Sequence, residues 1–207
     1  MSRAWKAFAP LVLAGGLMLA GCHPSGAEYV SDLDTVTTTH DTSFDFAAAR
    51  TYSLPDRVVV IGTPDAGRPA PIDPAFETAI LSTIDNEMSA LGYTKVDIGA
   101  GPDLLMTVGG LTVTNVDYYY GYWCGYWGWY YPCYPYYYPP VVGVSVYEVG
   151  TLIIDMAKPQ ASTSQGLNGV WTAVLRGVLT GVKSTDQVRA INGISQAYIQ
   201  SSYLGRQ

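Results

Sequence analysis

Residues 73–92 read DPAFETAILSTIDNEMSALG, and this stretch decides the architecture because it carries every local signal of one amphipathic helix. Asp73 is an N-cap acid, Pro74 takes the first helical position, and Glu77 lies near the positive end of the helix dipole. Phe76, Ile80, Ile84, Met88 and Leu91 recur along one face, and Gly92 ends the run. Such a face has to be covered, and the flanking segments supply a sheet.

Upstream, Thr35 to Asp41 alternates β-branched and polar residues as an edge or half-exposed strand does. Arg50 to Leu54 and Arg57 to Ile61 are short extended pieces, and Gly62 to Ile72 is a Pro/Gly loop. Downstream come Tyr93 to Ile98, a turn at Gly99–Pro102, and a long extended run from Leu104 to Val116. Its Gly109-Gly110 interruption predicts a bulge or twist. Val141 to Met156 follows, with the apolar centre Gly150-Thr151-Leu152-Ile153-Ile154 suited to an interior strand, and then Val170 to Thr180. Ser184-Thr185-Asp186-Gln187 has the form of a capping box, and Val188, Ile191, Ile194 and Tyr198 form a second helical stripe weakened by Gly193. The expected fold is α+β: a two-layer sandwich whose mostly antiparallel sheet carries two helices on one face.

Between the two long strands lies DYYYGYWCGYWGWYYPCYPYYYPP, residues 117–140, in which 14 of 24 residues are Tyr or Trp. It is most simply the tip of a long Tyr/Trp-rich hairpin, with Tyr122, Trp123, Tyr126, Trp127, Trp129 and Tyr130 as candidate binding rings. Such rings give large contact area at small entropic cost and dominate interface energetics. Packing on one another, stacking on sugar faces and settling at a bilayer interface are the other uses open to them.

The N-terminus says where the chain lives. Residues 1–21 carry Arg3, Lys6 and an apolar run to Ala20, a secretory signal too short to span a membrane as a helix. It ends in Leu19-Ala20-Gly21-Cys22, which resembles the lipobox of bacterial lipoproteins, in which the cysteine sulfur receives a diacylglycerol and the signal is cut before it. Cys22 would then begin the mature protein, with residues 22–30 a lipidated tether and 31–207 a single α+β domain. Several acyl chains anchor stably at about 0.8 kcal/mol per buried methylene. In lipoproteins of this kind an aspartate after the cysteine signals inner-membrane retention; here that place is His23, so the resemblance implies the periplasmic face of the outer membrane.

Without its first 21 residues the chain has nine basic and 17 acidic side chains, a net charge near −8. With no basic run, that balance makes the domain a poor candidate for binding the phosphate backbones of nucleic acids or anionic lipid surfaces. With Cys22 committed to lipid, Cys124 and Cys133 remain, and in an oxidising periplasm they read as a disulfide worth roughly 2.5 to 3 kcal/mol. A metal site would need further ligands, and neither metal nor cofactor is expected.

Catalysis finds little support. The two histidines are His23, beside the anchor, and His40, in the threonine-rich strand, and there is no Gly-x-Ser-x-Gly elbow or phosphate-binding glycine loop. Among the acids, Asp103 has turn placement and Asp155 is expected to meet water at a strand end. Asp117 and Glu148 flank the aromatic tract on the two strands of the expected hairpin, where they either meet across it, as a glycan hydrolase would use them, or simply keep its base soluble.

Several segments together resemble the bacterial lipoprotein family grouped as domain of unknown function 4136. They are Asp45-Phe46 followed by Arg50-Thr51-Tyr52, a helix ending Leu91-Gly92-Tyr93, then Pro102-Asp103-Leu104-Leu105, Tyr147 with Gly150 to Asp155, and Trp171, in the family's order. The resemblance runs from about residue 30 to 204. It departs where Trp171-Thr172-Ala173 intervenes before Arg176-Gly177, since the family places a basic residue and glycine directly after this tryptophan. It implies an α+β envelope lipoprotein and brings no catalytic residues. The expected function is a membrane-anchored, non-enzymatic binding or structural accessory that contacts an envelope protein through the aromatic hairpin, with binding or hydrolysis of peptidoglycan or lipopolysaccharide as the alternative.

Overall fold

The computed structural model describes residues 34–61, 72–111, 150–159, 168–180 and 183–205. Within them the strands are β1 (Thr35–His40), β2 (Thr51–Ser53), β3 (Val59–Ile61), β4 (Thr94–Lys95), β5 (Leu104–Leu111), β6 (Thr151–Lys158) and β7 (Asn168–Arg176). Two 17-residue helices, α1 (Pro74–Ala90) and α2 (Lys183–Ile199), complete an α+β fold.

The sheet order is β1-β7-β6-β5-β2-β4, with β3 also paired to β5. The sheet is mixed rather than mostly antiparallel: β1, β7, β6 and β5 pair antiparallel, whereas β2 pairs parallel with β4 and β5, and β3 parallel with β5. The cause is α1. A 17-residue helix is about 25 Å long, so it returns the chain along the sheet and strands before and after it run the same way.

The first helix forms as its sequence dictates. The Asp73 carboxylate accepts from the N–H groups of Ala75 and Phe76 at 3.1 and 3.4 Å. At the other end Gly92 has φ 88°, the Gly92 N–H donates to the Ser89 carbonyl and the Tyr93 N–H to that of Met88, which closes a Schellman motif. Phe76, Ile80, Ile84 and Met88 are buried, and Leu91 packs against the same core.

The stripe of α2 differs from expectation. Val188 is 57 % exposed, and the buried positions are Ala190, Gly193, Ile194, Ala197 and Tyr198. This helix lies so close to the sheet that a Cβ on Gly193 would come within 2.8 Å of Leu175 Cδ2, so the closest approach needs a glycine, while Ile194 and Tyr198 remain buried and Val188 stands outside. The helix begins at Lys183, so Ser184 lies inside the first turn and not at the N-cap of the expected capping box. The Asp186 carboxylate accepts from the Thr180 N–H at 2.8 Å and hydroxyl at 2.5 Å, fastening α2 to the segment that leaves β7.

Gly109 and Gly110 produce no bulge between β5 and β6, whose register runs unbroken from Leu105↔Ala157 to Leu111↔Thr151. Gly110 instead makes room for Leu179 and Ile72, whose methyl carbons would lie 3.2 and 3.5 Å from an added Cβ. The irregularity falls one strand over, between Met156 and Ala157, in the ladder with β7.

Leu104, Met106 and Val108 of β5, Leu152, Ile154 and Met156 of β6, and Trp171, Ala173 and Leu175 of β7 share one core with both helices. The helices are tied to each other by the Ser195 hydroxyl, which donates to Glu87 Oε1 at 2.7 Å. Trp171 pairs with Met156 and His40, and its indole N–H donates to the buried Ser201 hydroxyl at 3.0 Å. His40 stacks on Tyr203 with ring centroids 3.7 Å apart. The Tyr93 hydroxyl is shared between the carbonyls of Phe46 and Leu204, so it joins the segment after β1 to the turn that follows α2.

Candidate functional site

Cys22, Cys124, Cys133, Tyr122, Trp123, Tyr126, Trp127, Trp129 and Tyr130 all lie outside the described residues, as do Asp117 and Glu148. The structure does describe the strand ends that bound the aromatic connection. Residues 112–149 join the end of β5 to the start of β6, which are antiparallel neighbours. The Gly150 N–H donates to the Leu111 carbonyl at 2.9 Å, and the Leu179 N–H to the Gly150 carbonyl at 3.0 Å. Both roots of the connection are therefore fixed side by side.

The start of the domain lies at the same end of the sheet. Thr35 is opposite Arg176, Leu175 opposite Leu152, and Thr151 opposite Leu111, so the beginning of β1 and the two roots fall on one line across four strands. Asp34 is clamped there by Arg189 of α2: Nε donates to Oδ2 at 2.6 Å and Nη2 to Oδ1. This bidentate contact holds the guanidinium pKa above its ordinary value.

The opposite end carries a cleft of about 610 Å³ lined by Phe44, Asp45, Ala48, Pro102, Asp103 and Lys158, among others. Its acids are occupied. Asp103 accepts from the backbone N–H groups of Arg50 and Thr51 at 2.7 and 2.9 Å and from the Thr51 hydroxyl at 3.0 Å. Burial works against its charge, but these three donors together hold the carboxyl below its usual value. Asp45 accepts from the Ala47 N–H, and Lys158 Nζ stands 6.0 Å from the Phe44 ring centroid. The cleft mixes apolar and polar lining and has a structural latch on one wall. Asp103→Ala should cost about 1–3 kcal/mol by releasing those donors, and thermal unfolding compared with Asp103→Asn checks it; an Ala variant as stable as wild type would dismiss the latch.

The sequence reading misplaced Asp155. It does not meet water at a strand end but sits inside β6, 1 % exposed, on the sheet face opposite the helices. Alternation puts it there: Leu152, Ile154 and Met156 point into the helical core, and Asp155 points the other way. Thr107 and Thr172 are its cross-strand partners, and the Thr172 hydroxyl donates to Asp155 Oδ1 at 2.5 Å. Burial pushes the Asp155 carboxyl up to about 8, only partly opposed by the Thr172 hydrogen bond, so it is largely protonated at neutral pH. Thr107 Oγ1 is buried without a hydrogen-bond partner among the described residues. The available signal was the Leu-Ile-Ile-Asp-Met-Ala run, in which an acid interrupts an interior strand.

Among the described residues no three His, Cys, Asp or Glu side chains come together as a cation site needs, and no helix is long and apolar enough to cross a membrane.

A family model described as a domain of unknown function (DUF4136) matches residues 36–200. Among solved structures, this chain is similar to the crystal structure of a DUF4136 family protein from Bacteroides thetaiotaomicron, at 28 % identity. The match covers 84 % of this chain and 98 % of that one, with a TM-score of 0.66. No curated protein matches.

Proposed function

The chain belongs to the DUF4136 family, and from that premise we propose that it is a lipid-anchored envelope lipoprotein of the periplasmic face of the outer membrane. It acts as a non-enzymatic binding or structural accessory, and residues 117–140 contact an envelope protein. The observation that carries this reading is the rooting of the tract: 14 rings in 24 residues are joined at both ends to adjacent strands, β5 and β6, whose described residues are almost wholly buried. A stiff base lowers the entropy lost when such rings bind. In this reading the tract is the tip of a hairpin that continues β5 and β6, stapled by Cys124 and Cys133.

Retention of the soluble domain, residues 25–207, on immobilised peptidoglycan, lipopolysaccharide and membrane-protein extracts tests the proposal. Capture by the protein extracts, lost on removal of residues 118–140, is the expected result; no capture by wild type, or equal capture after the removal, would refute it.

One observation favours a second reading. Asp117 lies six residues beyond Leu111 and Glu148 two before Gly150, so two carboxylates belong to the same connection as the rings. Rings that stack on sugars beside two acids suit glycan binding or hydrolysis. Under that reading Asp117→Asn or Glu148→Gln abolishes turnover of peptidoglycan, whereas under the first neither variant changes protein capture.

A further inference from the structure

The Phe44–Asp103–Lys158 cleft lies at the end of the sheet away from Leu111 and Gly150, and separate parts of the chain build it: the turn after β1, the turn before β5 and the end of β6. At about 610 Å³ it falls within the range of small-molecule sites, about 300–1,000 Å³, and has room for a disaccharide. We infer that it is a saccharide-binding site, in which the Phe44 ring stacks on the apolar face of a neutral pyranose while Asp45, Asp103 and Lys158 bond its hydroxyls. The site uses neither the lipid anchor nor residues 117–140.

The walls are fixed by bonds of the fold itself. The Asp41 carboxylate accepts from the Ser43 N–H at 2.8 Å and hydroxyl at 2.6 Å, and the Phe44 N–H donates to the Asp41 carbonyl at 3.2 Å, so the backbone that carries the ring is closed into a turn. The ring is half-buried and meets the buried Phe46 edge-on with centroids 4.8 Å apart, and Phe46 packs in turn on Tyr203. On the facing wall the Asp103 N–H donates to the Thr51 hydroxyl at 3.0 Å while its carboxylate holds Arg50 and Thr51, which pins the turn before β5 to β2. Walls held in this way lose little entropy when a ligand enters.

The polar groups left over define the ligand. All three donors to Asp103 reach Oδ2 and the donor to Asp45 reaches Oδ1, so each carboxylate keeps one oxygen without a donor among the described residues. Lys158 is exposed and pairs with no acid among the described residues. The cleft therefore offers acceptors and donors together, beside an aromatic ring and the apolar surface of Ala48 and Pro102. An anion would meet two carboxylates for one ammonium, and a cation would compete with the ammonium already there. No third acid joins the two as a metal site needs. A neutral sugar satisfies the whole set: its hydroxyls donate to the carboxylate oxygens and accept from the ammonium in charge-assisted bonds. Its C–H face meanwhile covers the negative face of the Phe44 ring.

The test titrates the full-length protein in detergent micelles with cellobiose and follows its amide resonances. Saturable shifts of Ser43, Phe44, Gly101 and Lys158, with Leu111, Gly150 and Arg176 unmoved, are expected. Glucosamine and glucuronate, a cationic and an anionic sugar, are expected to bind more weakly than cellobiose. Phe44→Leu and Lys158→Met should each weaken cellobiose binding about tenfold while resonances outside the cleft stay in place. Removal of residues 118–140 should leave the affinity unchanged. No saturable shift, undiminished binding by both variants, or tighter binding of either charged sugar overturns the inference. Loss of binding on removal of residues 118–140 also overturns it and assigns the sugar to the aromatic tract.

Discussion

Trp171→Ala is expected to lower the unfolding free energy by about 3–5 kcal/mol, the largest effect of any single truncation considered for this chain. The indole is 1 % exposed, lies against Tyr198 with ring centroids 5.5 Å apart, and belongs to the core shared by β7 and both helices. Truncation leaves a cavity that this packed layer cannot close and removes the indole N–H from the buried Ser201 hydroxyl, which keeps one donor in the Tyr203 hydroxyl at 3.2 Å. Trp171→Phe keeps most of the ring volume and loses the hydrogen bond, so its cost should be roughly half. Urea unfolding of the two variants separates packing from hydrogen bonding. A wild-type midpoint for Trp171→Ala would show that this tryptophan does not organise the core.

Asp155→Asn should change the pH dependence of stability more than any other substitution. The folded carboxyl titrates near 8 against an ordinary value of 3.8. Below about pH 4 it is protonated in the folded and unfolded chains alike and costs nothing. Between these values the unfolded chain releases a proton that the folded chain retains, so stability falls as pH rises, and above about 8 the loss is complete. Asparagine keeps an acceptor for Thr172 and has no charge to bury. The variant is therefore expected to match wild type within about 1 kcal/mol at pH 4 and to exceed it by on the order of 2–4 kcal/mol at pH 8. Parallel stability curves for the two proteins from pH 4 to 8 would mean that Asp155 is not held in a proton-retaining site.

What could be read from the sequence was what local chemistry controls. The first helix was legible from cap to Schellman turn because Asp73, Pro74 and Gly92 act through their immediate neighbours. The antiparallel pairing of β5 with β6 follows from two long apolar runs, but the parallel set does not announce itself. Thr51–Ser53 and Thr94–Lys95 are too short for a pattern, and their direction is set by the helix between them.

The second helix failed on size. Val188 looks like a core residue, yet it stands outside a contact whose closest approach needs Gly193. Asp155 failed for a related reason: when both faces of a strand are buried, alternation no longer distinguishes inside from outside. Several residues that carried the family resemblance turn out to be fastenings of the fold. Asp103 latches Arg50 and Thr51, Tyr93 joins Phe46 to Leu204, and Tyr52 donates to Asp85, which also pairs with Lys95 at 2.7 Å. These contacts span up to 111 positions and cannot be inferred from neighbours in sequence.

The proposed function turns on one covalent bond, that between the Cys22 sulfur and a lipid. Growth of the native host with labelled palmitate, followed by isolation of the full-length protein and its Cys22→Ser variant, measures it directly. Label in the wild-type protein and none in the variant is the predicted result; label in the variant, or its absence from wild type, would contradict an anchor at Cys22.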